Sequence, residues 1–220
     1  MTSEMRVAVI VDLVDSRRIA DRAAVQHLLE RAFATVNRAV GHVEPFAATL
    51  GDEFQAVFAS VTDALEATLL ARLAMPEGLD CRFGLGRGEI RAVGTGLTGV
   101  LQDGSAWWAA RAAIDEAHRR ADGQTVTLRS WYRGDGETSF TDAAINAYLL
   151  GRDYIVGGMS DRERRLALGS WLGRSQSVLA EQEQISQSAV SQSLRRAGVT
   201  ALRAGIGEFR EAATQSGVPC

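Results

Sequence analysis

Residues 7–11 read Val-Ala-Val-Ile-Val, an unbroken apolar run that ends at Asp12. A strand with one face in water alternates apolar and polar residues, so a run without alternation predicts a central strand covered on both faces. That places a strand over residues 6–13 in the middle of a sheet, and the sheet needs layers above and below it. The next segment supplies one. Asp21 can cap a helix whose apolar residues Val25, Leu28, Leu29, Ala32, Phe33 and Val36 recur at helical spacing. Residues 45–50 and 54–58 read as short strands separated by Gly51, Asp52 and Glu53. Ser60 or Thr62 then starts a second helix through Leu65, Leu69, Leu70 and Leu73, stopped by Pro76 and Gly78. Residues 79–90 give a further strand through Cys81, Phe83 and Leu85, bent at Gly84, Gly86 and Gly88. The order strand, helix, hairpin, helix, strand predicts an α/β fold.

Beyond it, Gly94, Gly96 and Gly99 read as a loop, and residues 106–121 as a strong helix. A strand over 126–131 and a turn at Gly134, Asp135 and Gly136 follow, then a helix from Thr141 toward Leu150. Ser160 with Glu163 three residues on forms a capping box for a helix reaching Leu172. The pattern divides the chain into an α/β domain over 1–145 and a small helical domain over 146–220.

Hydrophobic residues make up 46% and charged residues 23%, the balance of a folded soluble protein. Apolar runs are too short to cross a bilayer and no signal-like segment opens the chain, so the cytoplasm is the expected compartment, with no membrane partner. Two cysteines, Cys81 in a strand and Cys220, suggest neither a disulfide framework nor a cysteine metal cluster. A net charge of -3 argues against indiscriminate coating of nucleic acid. Yet arginines outnumber acidic residues between 152 and 174, and Arg195, Arg196 and Arg203 follow, which predicts a local basic face.

Asp12 ends the first strand, and Asp52 sits in the hairpin. If that hairpin lies beside the first strand, the two carboxylates converge, and a hard divalent cation, Mg2+ or Mn2+, would relieve their repulsion and hold a phosphate ligand. The alternative is that Asp52 fills a tight Gly-Asp turn and Asp12 caps the next segment. Glu53, adjacent to Asp52, points away from the pair if strand alternation holds. Arg17 and Arg18 are either phosphate contacts near Asp12 or a solvated pair. Glycines 84, 86 and 88 lack the dinucleotide-binding fingerprint.

Val11-Asp12-Leu13-Val14, Gly51-Asp52-Glu53-Phe54-Gln55, Phe83-Gly84-Leu85-Gly86-Arg87-Gly88 and Ala109-Ala110-Arg111 resemble, in order and interval, the motifs of class III nucleotidyl cyclase domains and their diguanylate cyclase relatives. With the helical segment that follows, the arrangement resembles the SatD family over nearly the whole chain. The resemblance implies a palm-type, ferredoxin-like core. It implies Asp12 and Asp52 as metal-binding, catalytic carboxylates, with the Leu13 carbonyl as a further oxygen. It also implies Arg111 as a catalytic phosphate contact reaching across a dimer. Two positions depart from the cyclase pattern: Trp107 replaces an asparagine and Ala48 a base-reading lysine. Neither replacement can make the corresponding hydrogen bond, so ordinary purine cyclisation is not expected.

Toward the C-terminus, residues 177–183 read as a short helix. Gln184, Ile185 and Ser186 form a turn, and a second helix runs from Gln187 or Ser188 through Arg196. Ala180 is small where the helices cross, Ile185 and Val190 anchor the turn, and Val178, Leu179 and Leu194 extend the core. The segment 185–194 resembles the recognition region of bacterial helix-turn-helix regulators, although Gln184 stands where glycine is frequent. Ser186 can cap the second helix, while Gln187, Ser188, Ser191, Gln192 and Arg195 line its exposed edge as DNA-binding candidates. A short wing or final turn is expected over 198–205. A helical packing or dimerisation module would use the same apolar spacing.

The whole reads as a homodimeric DNA-binding regulatory protein whose palm-like part takes a metal-associated nucleotide or phosphate ligand, with Arg17 and Arg111 as ligand contacts. The alternative is a metal-dependent nucleotidyl cyclase or nucleotidyltransferase with an appended helical module, and a non-catalytic scaffold is a third possibility.

Overall fold

A computed structural model describes residues 4–15, 21–49, 53–96 and 99–215. The chain is mixed α/β. Strand β1 (Glu4–Leu13) is followed by α1 (Arg22–Ala39), β2 (Glu44–Ala48), β3 (Phe54–Phe58), α2 (Val61–Ala74) and β4 (Cys81–Gly96). These strands pair antiparallel in the order β2-β3-β1-β4, the split βαβ arrangement of ferredoxin-like sheets. Strand β5 (Gly99–Asp103) extends the sheet as a hairpin on β4, and β6 (Ser130–Arg133) pairs parallel to β4. The loop expected around Gly94, Gly96 and Gly99 is therefore strand, with Gly96 opposite Gly99. The strand expected at 126–131 is shifted to Ser130–Arg133.

Strand β1 is covered on both sides, as its apolar run requires. Val7, Val9, Val11 and Leu13 enter the core shared with α1 and α2, whereas Ala8 and Ile10 pack under α3 (Ser105–Ala121). Alanines 106, 110, 113 and 117 are buried along α3. The helix lies so close to the sheet that a methyl group on Gly86 would stand 2.1 Å from the Ala110 nitrogen, and one on Gly84 2.2 Å from the Ala110 carbonyl. Those glycines serve backbone contact between helix and sheet. Cys81 is buried in the core, and burial pushes its thiol well above the ordinary range.

Among the described residues the remaining elements are helices: α4 (Phe140–Gly157), α5 (Asp161–Trp171), α6 (Gln176–Glu183), α7 (Gln187–Arg196) and α8 (Val199–Gln215). The wing or turn expected over 198–205 is the start of α8. Helix α2 is buried nearly all round, because the sheet and α1 lie on one side and α4, α5 and α8 on the other. Its buried polar side chains find their partners there. Glu66 accepts from Trp171 Nε1 at 2.8 Å and from Arg210, and Thr68 Oγ1 accepts from Arg152 at 2.9 Å. Arg72 donates to Asp153 Oδ1 at 3.1 Å. Val156, Ala167, Ala197, Val199, Leu202 and Ile206 belong to the same apolar cluster as Val7 and Phe33. The boundary expected after residue 145 falls inside α4. Among the described residues no helix is long and apolar enough to cross a membrane.

Candidate functional site

Strand alternation fixes what surrounds Asp12. It shares parity with Ala8 and Ile10, so it belongs to the α3 face of the sheet. On β4 its register partner is Arg82, whose Nη1 lies 3.9 Å from Asp12 Oδ2. Arg82 is buried and its other terminal nitrogen lies 3.9 Å from Asp122 Oδ1, at the C-terminal end of α3. Asp122 also meets His118 at 3.1 Å. On the other side β1 pairs Val11 with Phe54, and the register continued by one position puts Glu53 opposite Asp12.

Glu53 shares parity with Val57, which packs under α3, and its Oε2 lies 2.7 Å from Arg111 Nη2. It therefore faces the α3 side together with Asp12, opposite to the sequence expectation. The reason is register, since the apolar residues Phe54, Ala56 and Phe58 all turn to the α1–α2 side and send residue 53 the other way. Arg111 is carried by α3 to the same sheet edge, with its side chain 52% exposed. Asp52, Arg17 and Arg18 lie outside the described residues. The alternation of β4 through Cys81, Phe83 and Leu85, all on the α1–α2 side, is the sequence signal that places Arg82 on this face.

The result is a row across one end of the central strands, Arg82, Asp12, Glu53, Arg111, with two carboxylates flanked by two guanidinium groups. Repulsion between the two carboxylates is already offset by two guanidinium groups, so a cation is not required to bring them together. Their oxygens are of the kind that Mg2+ or Mn2+ takes. Among the described residues, however, no three His, Cys, Asp or Glu side chains cluster as a metal site. The described donors therefore do not by themselves make such a centre. Trp107, where the cyclase pattern has asparagine, packs against the apolar cluster under α3, and its buried indole N–H has no partner among the described residues. Trp108 is 64% exposed.

The model of the SatD family matches residues 6–205. The chain belongs to the SatD family. Among solved structures, the catalytic core of a rhodopsin-guanylyl cyclase with converted specificity, in complex with ATPalphaS, is similar at 20% identity and a TM-score of 0.37. That similarity covers 50% of this chain and 71% of that one. No match was found among curated proteins.

The SatD family match extends through α7. Helices α6 and α7 are joined by Gln184, Ile185 and Ser186, and Gln184 adopts the left-handed conformation at φ 54 and ψ 45. The Ile185 N–H closes the turn by donating to the Ala180 carbonyl at 3.0 Å. Leu179, Ala180 and Val190 are buried with Leu166 of α5, and Ile185 and Leu194 pack on them. Val178, expected in this core, is 41% exposed. Ser186 caps α7 by accepting from the Ala189 N–H at 3.2 Å. Gln187, Ser188, Gln192 and Arg195 are exposed and Ser191 half-buried. Ion pairs to α5 brace the pair of helices. Glu183 meets Arg165 at 2.7 Å, and Glu163 meets Arg196 at 3.0 Å. The Arg165 hydrogen bond holds the Glu183 carboxyl below its ordinary range, and the Ser160 backbone N–H does the same for Glu163.

Proposed function

We propose that this SatD family protein is a DNA-binding regulatory protein that acts as a homodimer. In this reading the sheet domain takes a nucleotide or other phosphate ligand with Mg2+ or Mn2+. The observation that carries it is the outer edge of α7. Its start is capped by Ser186, its side chains Gln187, Ser188, Gln192 and Arg195 are exposed, and it bears no carboxylate. Amides and guanidinium groups along an exposed helix face match base edges and phosphates in a major groove. One short helix buries little area on a duplex, which favours two copies. The test is selection of a bound sequence from random duplex DNA, followed by titration of the Gln187→Ala/Gln192→Ala variant. A loss of about tenfold or more in specific affinity, with unchanged melting, supports the assignment, whereas equal affinity and specificity removes it.

The Asp12, Glu53 and Arg111 edge favours a second reading, a metal-dependent nucleotidyl cyclase or nucleotidyltransferase. There Asp12 and Asp52 would hold the cation, which would supply Lewis-acid activation of a phosphate, and Arg111 would leave Glu53 to hold a phosphate oxygen. Product formed from a nucleotide panel with Mg2+ or Mn2+, and lost in Asp12→Asn, would establish the enzyme. A ligand-dependent change in DNA affinity without product would establish the sensor.

A further inference from the structure

A second concave site lies away from the Asp12 edge. Helices α1 and α2 meet α5, α8 and the turn before α6 around an open cleft of about 820 Å³. Its lining carries Arg38, Arg174, Arg203 and Arg210, against one carboxylate, Glu66. Glu66 is buried and committed to Arg210 and to Trp171 Nε1. Arg203 stacks 5.0 Å above the Trp171 ring and donates to the Ser170 carbonyl. Arg174 donates to the Gln182 amide oxygen at 3.0 Å, and Arg38 to Thr35 Oγ1. Among the described residues, Arg38, Arg174 and Arg203 form no ion pair. Leu70 and Ile206 add an apolar floor.

Like charges gathered around a concave site repel one another, and the field they focus favours an anion. Guanidinium forks match phosphate oxygens, and the indole and apolar floor match the body of an organic molecule. We infer that this cleft binds a small organic phosphate, making it an effector site formed jointly by α1, α2 and the helices leading into and out of α6 and α7. Its basis is separate from the Asp12 edge and from DNA recognition. A ligand seated there would touch Arg38 on one side and Arg174 and Arg203 on the other, so it would brace α5 and α8 against α1 and α2.

Calorimetric titration of the full chain at low salt, with EDTA to silence any divalent-cation site, tests this. Adenosine triphosphate and inorganic pyrophosphate are the probes, and citrate is the control for generic anion binding. Saturable binding of the triphosphate is expected, at least tenfold tighter than citrate. It should fall tenfold or more in Arg38→Ala/Arg174→Ala, whose replaced side chains are exposed, with melting unchanged. Asp12→Asn/Arg111→Ala should bind as the wild type does. Binding of pyrophosphate alone would identify a site for inorganic phosphates and overturn the organic ligand. Absence of binding, equal affinity for citrate, insensitivity to the cleft variant, or loss in the Asp12 and Arg111 variant would each overturn the assignment.

Discussion

Gln184 occupies the backbone conformation that glycine adopts without strain, and it closes α6 where the next residue must turn back toward Ala180. A non-glycine residue at this φ costs roughly 1–3 kcal/mol, part of which glycine would give back through the larger entropy of its unfolded chain. Gln184→Gly is therefore expected to stabilise the protein by about 1 kcal/mol, read as a melting temperature higher by about 2–4 °C. An unchanged or lower temperature would show that the Gln184 side chain contributes something the turn geometry does not. The need for a special residue at position 184 was legible in the sequence as a departure from a glycine pattern. The direction of Glu53 was not, because one step of register decides which face it takes.

Helix α4 is fastened by a charge cluster rather than by apolar contact alone. Asp153 is fully buried; its Oδ1 accepts from Arg72 and from Arg152, and its Oδ2 accepts from the Arg129 backbone N–H at 2.8 Å. Asp153→Ala would strip buried Arg152 of its carboxylate and leave Arg72 only Asp80 at 3.5 Å, and the expected loss is about 3–5 kcal/mol in a urea unfolding series. A loss below about 1 kcal/mol would mean that water or rearrangement replaces the carboxylate. Helices α5, α6 and α7 pack on their own apolar cluster and add ion pairs near the surface. Glu163 and Glu183 have folded pKa values depressed below the ordinary 4.5, so their contribution is complete above that pH and is lost as pH falls through the lower folded values. Both carboxylates border solvent, which keeps the stability involved small. Amide protection factors in α6 and α7 should fall below about pH 4.5 before they fall in β1. Simultaneous loosening of both regions would contradict this order.

At the scale of the molecule, the sheet and the C-terminal helices share one apolar cluster, and Glu66, Thr68 and Arg72 of α2 each take a partner from beyond residue 150. The full chain should therefore unfold in a single transition, with near-ultraviolet and far-ultraviolet signals coinciding. A fragment ending at residue 139 should lack a cooperative melt and expose apolar surface to a hydrophobic dye. Two resolved transitions, or a fragment that melts as the whole chain does, would instead make 1–145 and 146–220 independent units.

Local chemistry in the sequence determined most of the elements. The apolar run at 7–11 demanded a strand covered on both faces, Ser160 with Glu163 and Ser186 marked helix starts, and the Ala180, Ile185 and Val190 spacing marked two crossing helices. Tertiary structure alone decided which charges meet. Arg82 with Asp12, Glu53 with Arg111, Asp153 with Arg72 and Arg152, and the arginines around Trp171 come from segments far apart in the chain. A side chain's charge is written in its residue type, whereas its partner is set by register and helix packing, which no local pattern encodes.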